Sequence, residues 1–96
     1  MRNVTTIDID ALYEAILRID DLAEARKFFR DLLTENEIRE FAERWKTARM
    51  LASGVPYTEI IKQTGLSSTT VARVARWVKR GTGGYRAALR RTAHTP

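Results

Sequence analysis

The chain has 96 residues, 44% hydrophobic and 30% charged, which suffices for one modest core and is too little for two. It has no cysteine, which excludes a disulfide framework and thiolate metal sites, and its single histidine, His94, lies three positions from the end with no metal-ligand spacing around it. Seventeen basic and twelve acidic residues leave a net charge of +5; no apolar run approaches the roughly 20 residues of a bilayer span, and "MRNVTTIDID" lacks a signal-peptide pattern, so a cytoplasmic protein without membrane contact is expected.

Apolar residues recur every three or four positions and no stretch alternates with strand period, which predicts an all-α chain. A first helix is expected to begin near Asp8 or Asp10, either of which can cap free amides, with Ile9, Leu12, Ile16 and Ile19 on one stripe. Asp20 is expected to cap a second, in which Leu22, Ala25, Phe29, Leu32 and Leu33 repeat at helical spacing and Phe28 widens the apolar face. Thr34 and Glu37 then stand at capping-box spacing, opening a long helix whose seam is Ile38, Phe41, Trp45, Ala48 and Ala52 and which a left-handed Gly54 stops. Pro56 suits the first turn of a short helix running from Tyr57 to Thr64, too short to persist without neighbours. After Gly65, Ser67 is placed to cap a further helix to about Arg80, and Gly81, Gly83 and Gly84 are expected to end regular structure. "YRAAL" adds a last short turn, and "RRTAHTP" reads as a frayed tail. The expected organisation is one domain of three stretches: N-terminal helices over 1–54, a two-helix unit over 55–80, and a short basic segment with its tail over 81–96.

Charge is distributed unevenly along this order. All twelve acidic residues lie at or before Glu59, together with nine basic ones; residues 60–96 hold eight basic residues and no acid. Such a split suggests that one end faces an anion. A short helix, a glycine-centred turn and a second capped helix match the helix-turn-helix, whose second helix enters the major groove of DNA. The inward positions expected of that unit are Ile60, Thr64, Leu66, Val71 and Val74, apolar except for Thr64, and Val78 continues the stripe. Ile61 stands where a small residue is usual, so a wider helix crossing is expected. The opposite face presents Ser68, Thr69, Thr70, Arg73 and Arg76, the candidates for base edges: arginine can bond guanine in bidentate fashion and threonine can touch a thymine methyl. Lys62, Ser67, Lys79, Arg80 and Arg86, joined by Arg90 and Arg91, are the candidates for phosphate, to which the free amides at the helix start can also donate.

From Thr34 to about Leu89 the chain resembles the tryptophan repressor family. The resemblance rests on the long helix opening on the leucine-threonine cap of "LTENEIREFAERWKTARMLASG", the glycine before the two-helix unit, and the TxxR of "TTVARV" in its second helix. The later "WVKRGTGGYRAAL" is closer to the tryptophan-repressor-related branch, whose ligand is generally unassigned. The resemblance implies an intertwined homodimer joined through its N-terminal helices, so that residues 1–54 supply both core and dimer interface, with each reading helix at one half-site of double-stranded DNA. It also implies an effector pocket at Thr34, Arg44, Thr70, Arg73 and Trp77. Two positions depart from the repressor, since Val74 stands where it has glycine and Trp77 where it has serine. Both are expected to fill the cavity, so tryptophan is not expected as corepressor and no cofactor is assigned; Trp77 would then imitate the ligand.

No nucleophile motif, metal spacing or phosphate loop points to an enzyme. Trp45 and the phenylalanines read as core, and the acids near helix starts suit the macrodipole. Tyr57 and Tyr85 flank the two-helix unit, at phosphate or in packing. The function expected is a sequence-specific DNA-binding transcriptional regulator, a repressor in the first instance. The alternative is a helical interaction adaptor whose basic half binds an acidic protein. An RNA binder ranks below both for want of stacking aromatics on the basic face.

Overall fold

The computed structural model describes residues 3–93, which form six α-helices and no strand. These are α1 (Thr6–Leu17), α2 (Leu22–Leu32), α3 (Glu35–Ala52), α4 (Tyr57–Thr64), α5 (Ser68–Arg80) and α6 (Gly84–Thr92). The all-α expectation holds, and no helix among the described residues is long and apolar enough to cross a membrane. The chain divides into two compact units, Met1–Ile38 and Arg39–Pro96. His94 and the last residues of the expected tail lie outside the described residues.

In the N-terminal unit the caps differ from expectation by a few positions. Thr5 caps α1, its Oγ1 accepting from the Asp8 amide at 3.2 Å while the Thr5 amide donates to Asp8 Oδ2 at 3.1 Å. Asp8 is therefore the inner partner of a capping box and not the cap. The bond from the Thr5 amide, with help from the Thr5 hydroxyl, holds the Asp8 carboxyl below the usual carboxylate range. Asp21 caps α2 in place of Asp20, accepting from the Glu24 amide at 2.8 Å. Phe28 and Phe29 meet edge to face, with ring centres 5.4 Å apart. Neither α1 nor α2 has a buried residue. Leu12, Ile16, Phe28 and Phe29 are half-buried, whereas Ile9 and Leu32, expected on covered stripes, are exposed.

The start of α3 follows expectation: Thr34 Oγ1 accepts from the Glu37 amide at 3.1 Å, and the Thr34 amide donates to Glu37 Oε1 at 2.9 Å. Its buried face does not. Phe41 and Ala52 are exposed, and the two fully covered residues are Thr47 and Ala48. Thr47 tolerates burial because its hydroxyl donates to the Glu43 carbonyl at 2.8 Å, leaving no polar atom of that side chain unpaired.

Gly54, with φ +80°, closes α3 as expected. Pro56 sits one position ahead of the expected first turn, as the cap of α4, with φ −63° and ψ 150°. Gly65, with φ +74°, ends α4 in the left-handed region that a side chain would strain. Around this turn α4 packs on α5, and α5 packs on α6. Ile60, Val71, Val74, Ala75 and Ala48 are buried as the core of this unit. Thr64, the polar departure at an inward position, is satisfied locally: its hydroxyl donates to the Ile60 carbonyl at 2.7 Å and accepts from the Leu66 amide at 3.2 Å. The expected short final turn is a nine-residue helix, so Arg90 and Arg91 lie on α6 and not in a frayed tail; no breaker after Leu89 stops the helix there.

Candidate nucleic-acid interface

Helix α5 starts where Ser67 turns its Oγ to the Thr70 amide at 3.2 Å, with the Ser67 and Thr70 hydroxyls 3.0 Å apart. From that start the apolar period puts Val71, Val74 and Ala75 into the core, at 0–4% exposure, with Val78 half-buried behind them. Ser68, Thr69, Arg73, Arg76, Lys79 and Arg80 are exposed. The segment carries no carboxylate, so nothing on α5 itself neutralises these cations.

The exposed residues border two different openings. On one side Ser68, Thr69, Ala72, Arg73 and Arg76 form an open groove of about 620 Å³ with Tyr57 of α4. Four of the five candidates for base contact stand along this groove. Tyr57 is 41% exposed there, so the basic face has an aromatic ring after all. The sequence could not show this, because Tyr57 reaches α5 only through the turn at Gly65. Ala72 is the other residue that spacing overlooked; it lines the groove with Thr69 and Arg76.

On the other side Thr70, Arg73, Val74 and Trp77 meet Arg44 of α3 and Tyr85 of α6 around a cavity of about 250 Å³. Four of the five residues expected at an effector pocket thus come together, with Thr70 half-buried and turned away from the groove. Arg73 borders both openings. Thr34, the fifth, belongs to the N-terminal unit, where its amide and hydroxyl are engaged with Glu37. Val74 is buried beneath this opening, and the Trp77 indole, 48% exposed, stands beside it. Arg44 is paired with Glu40 at 3.0 Å, a solvated pair one helical turn apart of the kind that contributes little to stability.

Of the candidates for phosphate, Lys62, Lys79 and Arg80 are exposed, and Lys79 and Arg80 line a depression with Tyr57 and Arg76. Ser67 serves as the α5 cap. Arg86 is tied elsewhere, its Nε donating to the Val78 carbonyl at 3.0 Å and its Nη2 to the Lys79 carbonyl. Tyr85 beside it stacks on Trp45, the rings inclined by 9° with centres 6.4 Å apart.

Residues 7–93 match the family described as "Trp repressor protein". The "Uncharacterized protein YerC" of Bacillus subtilis (strain 168) is 42% identical over 88 residues, which cover 92% of this chain and 85% of that protein. Among solved structures, a TrpR-like protein from Eubacterium eligens ATCC 27750 superposes with a TM-score of 0.87 at 36% identity, covering 95% of this chain and 94% of that one. A Staphylococcus aureus protein described as a candidate Trp repressor gives 0.86 at 34% identity, covering 93% of this chain and 89% of its own. These likenesses extend over nearly the whole sequence and include the two-helix unit and the long helix before it: the chain belongs to the Trp repressor family.

Proposed function

We propose that this protein is a transcriptional regulator, in the first instance a repressor, that acts in the cytoplasm as a homodimer and reads double-stranded DNA through the major groove. The observation that carries the reading is the division of α5 into a buried apolar side (Val71, Val74, Ala75) and an exposed side holding Thr69, Arg73 and Arg76 with no acid. A helix mounted in this way has its arginines free for base edges, and Lys62, Lys79 and Arg80 flank it for phosphate. Membership in a family of DNA-binding regulators supports the same assignment, which is that of a binding protein and not a catalyst. The dimer is supported by the uncovered apolar residues of the N-terminal unit, among them Ile7 at 80% and Leu17 at 82% exposure, which a second copy could cover.

Fluorescence anisotropy with random duplex DNA tests the reading. Binding that weakens steeply with salt, by several logarithmic units per logarithm of salt concentration, is expected of a protein that meets several phosphates. No binding at about 50 mM salt would favour the adaptor for an acidic protein instead. Tryptophan is not the corepressor in this reading: the branched side chain of Val74 lies under the opening and the Trp77 indole beside it, where the family's repressor has glycine and serine. Heat on titrating micromolar tryptophan in a calorimeter would overturn that part.

A further inference from the structure

The last four carbonyls of an α-helix have no partner within it and carry the negative end of its dipole. At the end of α5 the Trp77 carbonyl accepts from the Gly81 amide at 2.9 Å, and the next two are taken by a single side chain: Arg86 reaches back from the first turn of α6, Nε to the Val78 carbonyl at 3.0 Å and Nη2 to the Lys79 carbonyl. The guanidinium is a planar fork with a fixed charge, and it matches two successive carbonyls at a negative helix end better than a point charge does. The adjacent residue, Tyr85, is stacked on Trp45 of α3. Two neighbouring residues of α6 therefore grip the end of α5 and a ring of α3 together. The link between α5 and α6 is tight enough to need a bare backbone: a Cβ added at Gly81 would lie 2.3 Å from the Trp77 carbonyl oxygen and 2.9 Å from Cε3 of its ring.

From this arrangement we infer that Arg86 is a positioning residue for the reading helix, fixing the last turn of α5 against α3 through Tyr85, so that the chain carries its own brace. The inference rests on the DNA-reading function proposed above. Base contacts need their side chains held within about 0.5 Å and 10–20°, whereas phosphate contacts tolerate slack. A loosened α5 loses discrimination between sequences before it loses attraction to DNA. Arg86 thus leaves the set of simple phosphate contacts, in which its charge alone would count.

The test uses the full chain and two duplexes, the site that the wild-type protein enriches from random DNA and the same site scrambled. The readout is the ratio of the two affinities, in which any loss common to both duplexes cancels. Arg86→Lys keeps the charge and removes the fork; the ratio is expected to fall roughly two- to fivefold, the size of a charged interaction at an exposed position. Tyr85→Ala, which releases α6 from Trp45 without touching charge, is expected to lower the ratio in the same direction and carries the test should Arg86→Lys fail to fold by circular dichroism. If either folded variant keeps the wild-type ratio, the brace is overturned while the DNA-binding function stands. A wild-type chain that enriches no site from random DNA overturns that function and the inference with it.

Discussion

Helices α1 and α2 bury nothing, and Ile7, Leu17 and Leu22 stand on or beside them at 65–82% exposure; α5, of similar length, buries Val71, Val74 and Ala75 and leaves its polar and basic side bare. Helices α1, α2 and α5 each start on a side chain that caps a free amide, Thr5, Asp21 and Ser67, so capping does not distinguish them. The difference is in what covers the apolar face. The C-terminal unit covers its own, α4 and α6 lying on α5. In the N-terminal unit one chain leaves apolar surface uncovered, and at about 25 cal/mol per Å² that surface is a strong drive to associate. Under the proposed function, self-association and DNA reading fall to different parts of a chain of 96 residues; charge divides later than the units do, since Glu40, Glu43 and Glu59 belong to the C-terminal unit and no acid follows Glu59.

Four substitutions probe that contrast, beginning with the most severe. Leu17→Lys places a charge where the proposed dimer buries a leucine, and the dimer is expected to dissociate in sedimentation equilibrium, with stability that depends on concentration. An unchanged mass would show that α1 stays exposed in solution and would end the contrast. Ile60→Ala empties a position at 0% exposure in the self-covered unit and is expected to cost about 2–5 kcal/mol in denaturant unfolding. A loss below that range would mean that this core collapses around the gap. Arg76→Ala is expected to cost about 1–3 kcal/mol on the preferred site if the guanidinium reads a base, and an equal loss on all sequences reassigns it to phosphate.

The mildest effect concerns Glu37, whose carboxyl is held below its ordinary value of 4.5 by the Thr34 amide first and the Thr34 hydroxyl second. A carboxyl depressed by folding stabilises at all pH values above its unfolded one, and that contribution disappears as pH falls through the lower folded value. Glu37→Gln should therefore differ most from wild type above pH 4.5 and converge with it in stronger acid, as read from thermal unfolding across that range.

The parts of this protein legible in sequence are those fixed by neighbours three or four positions apart. The Thr34–Glu37 box, the Ser67 cap, the turns at Gly54 and Gly65 and the full span of α4 all belong to this class. Where several residues were equally suited, sequence chose wrongly: Asp8 and Asp20 are sound caps on chemical grounds, yet Thr5 and Asp21 hold the positions whose backbone is extended. The stripe on α3 misled for another reason. Spacing cannot tell a face covered within one chain from one left open, so Phe41 read as core and is 49% exposed.

The sequence by itself determined the first five helices, most of their ends and the acid-free stretch from Ile60 onward, because propensity, capping and periodicity act within a turn or two of chain; it did not show that α6 is a full helix. Only the tertiary structure decided that Tyr57 shares a groove with Arg76, that Tyr85 joins Arg44 and Thr70 around a cavity, and that Arg86 closes the end of α5. Those meetings join residues on different helices, and they follow from how the helices cross and how tightly Gly65 and Gly81 let the chain turn. No local rule encodes that angle; it is set where Ile60, Val71 and Val74 exclude water together.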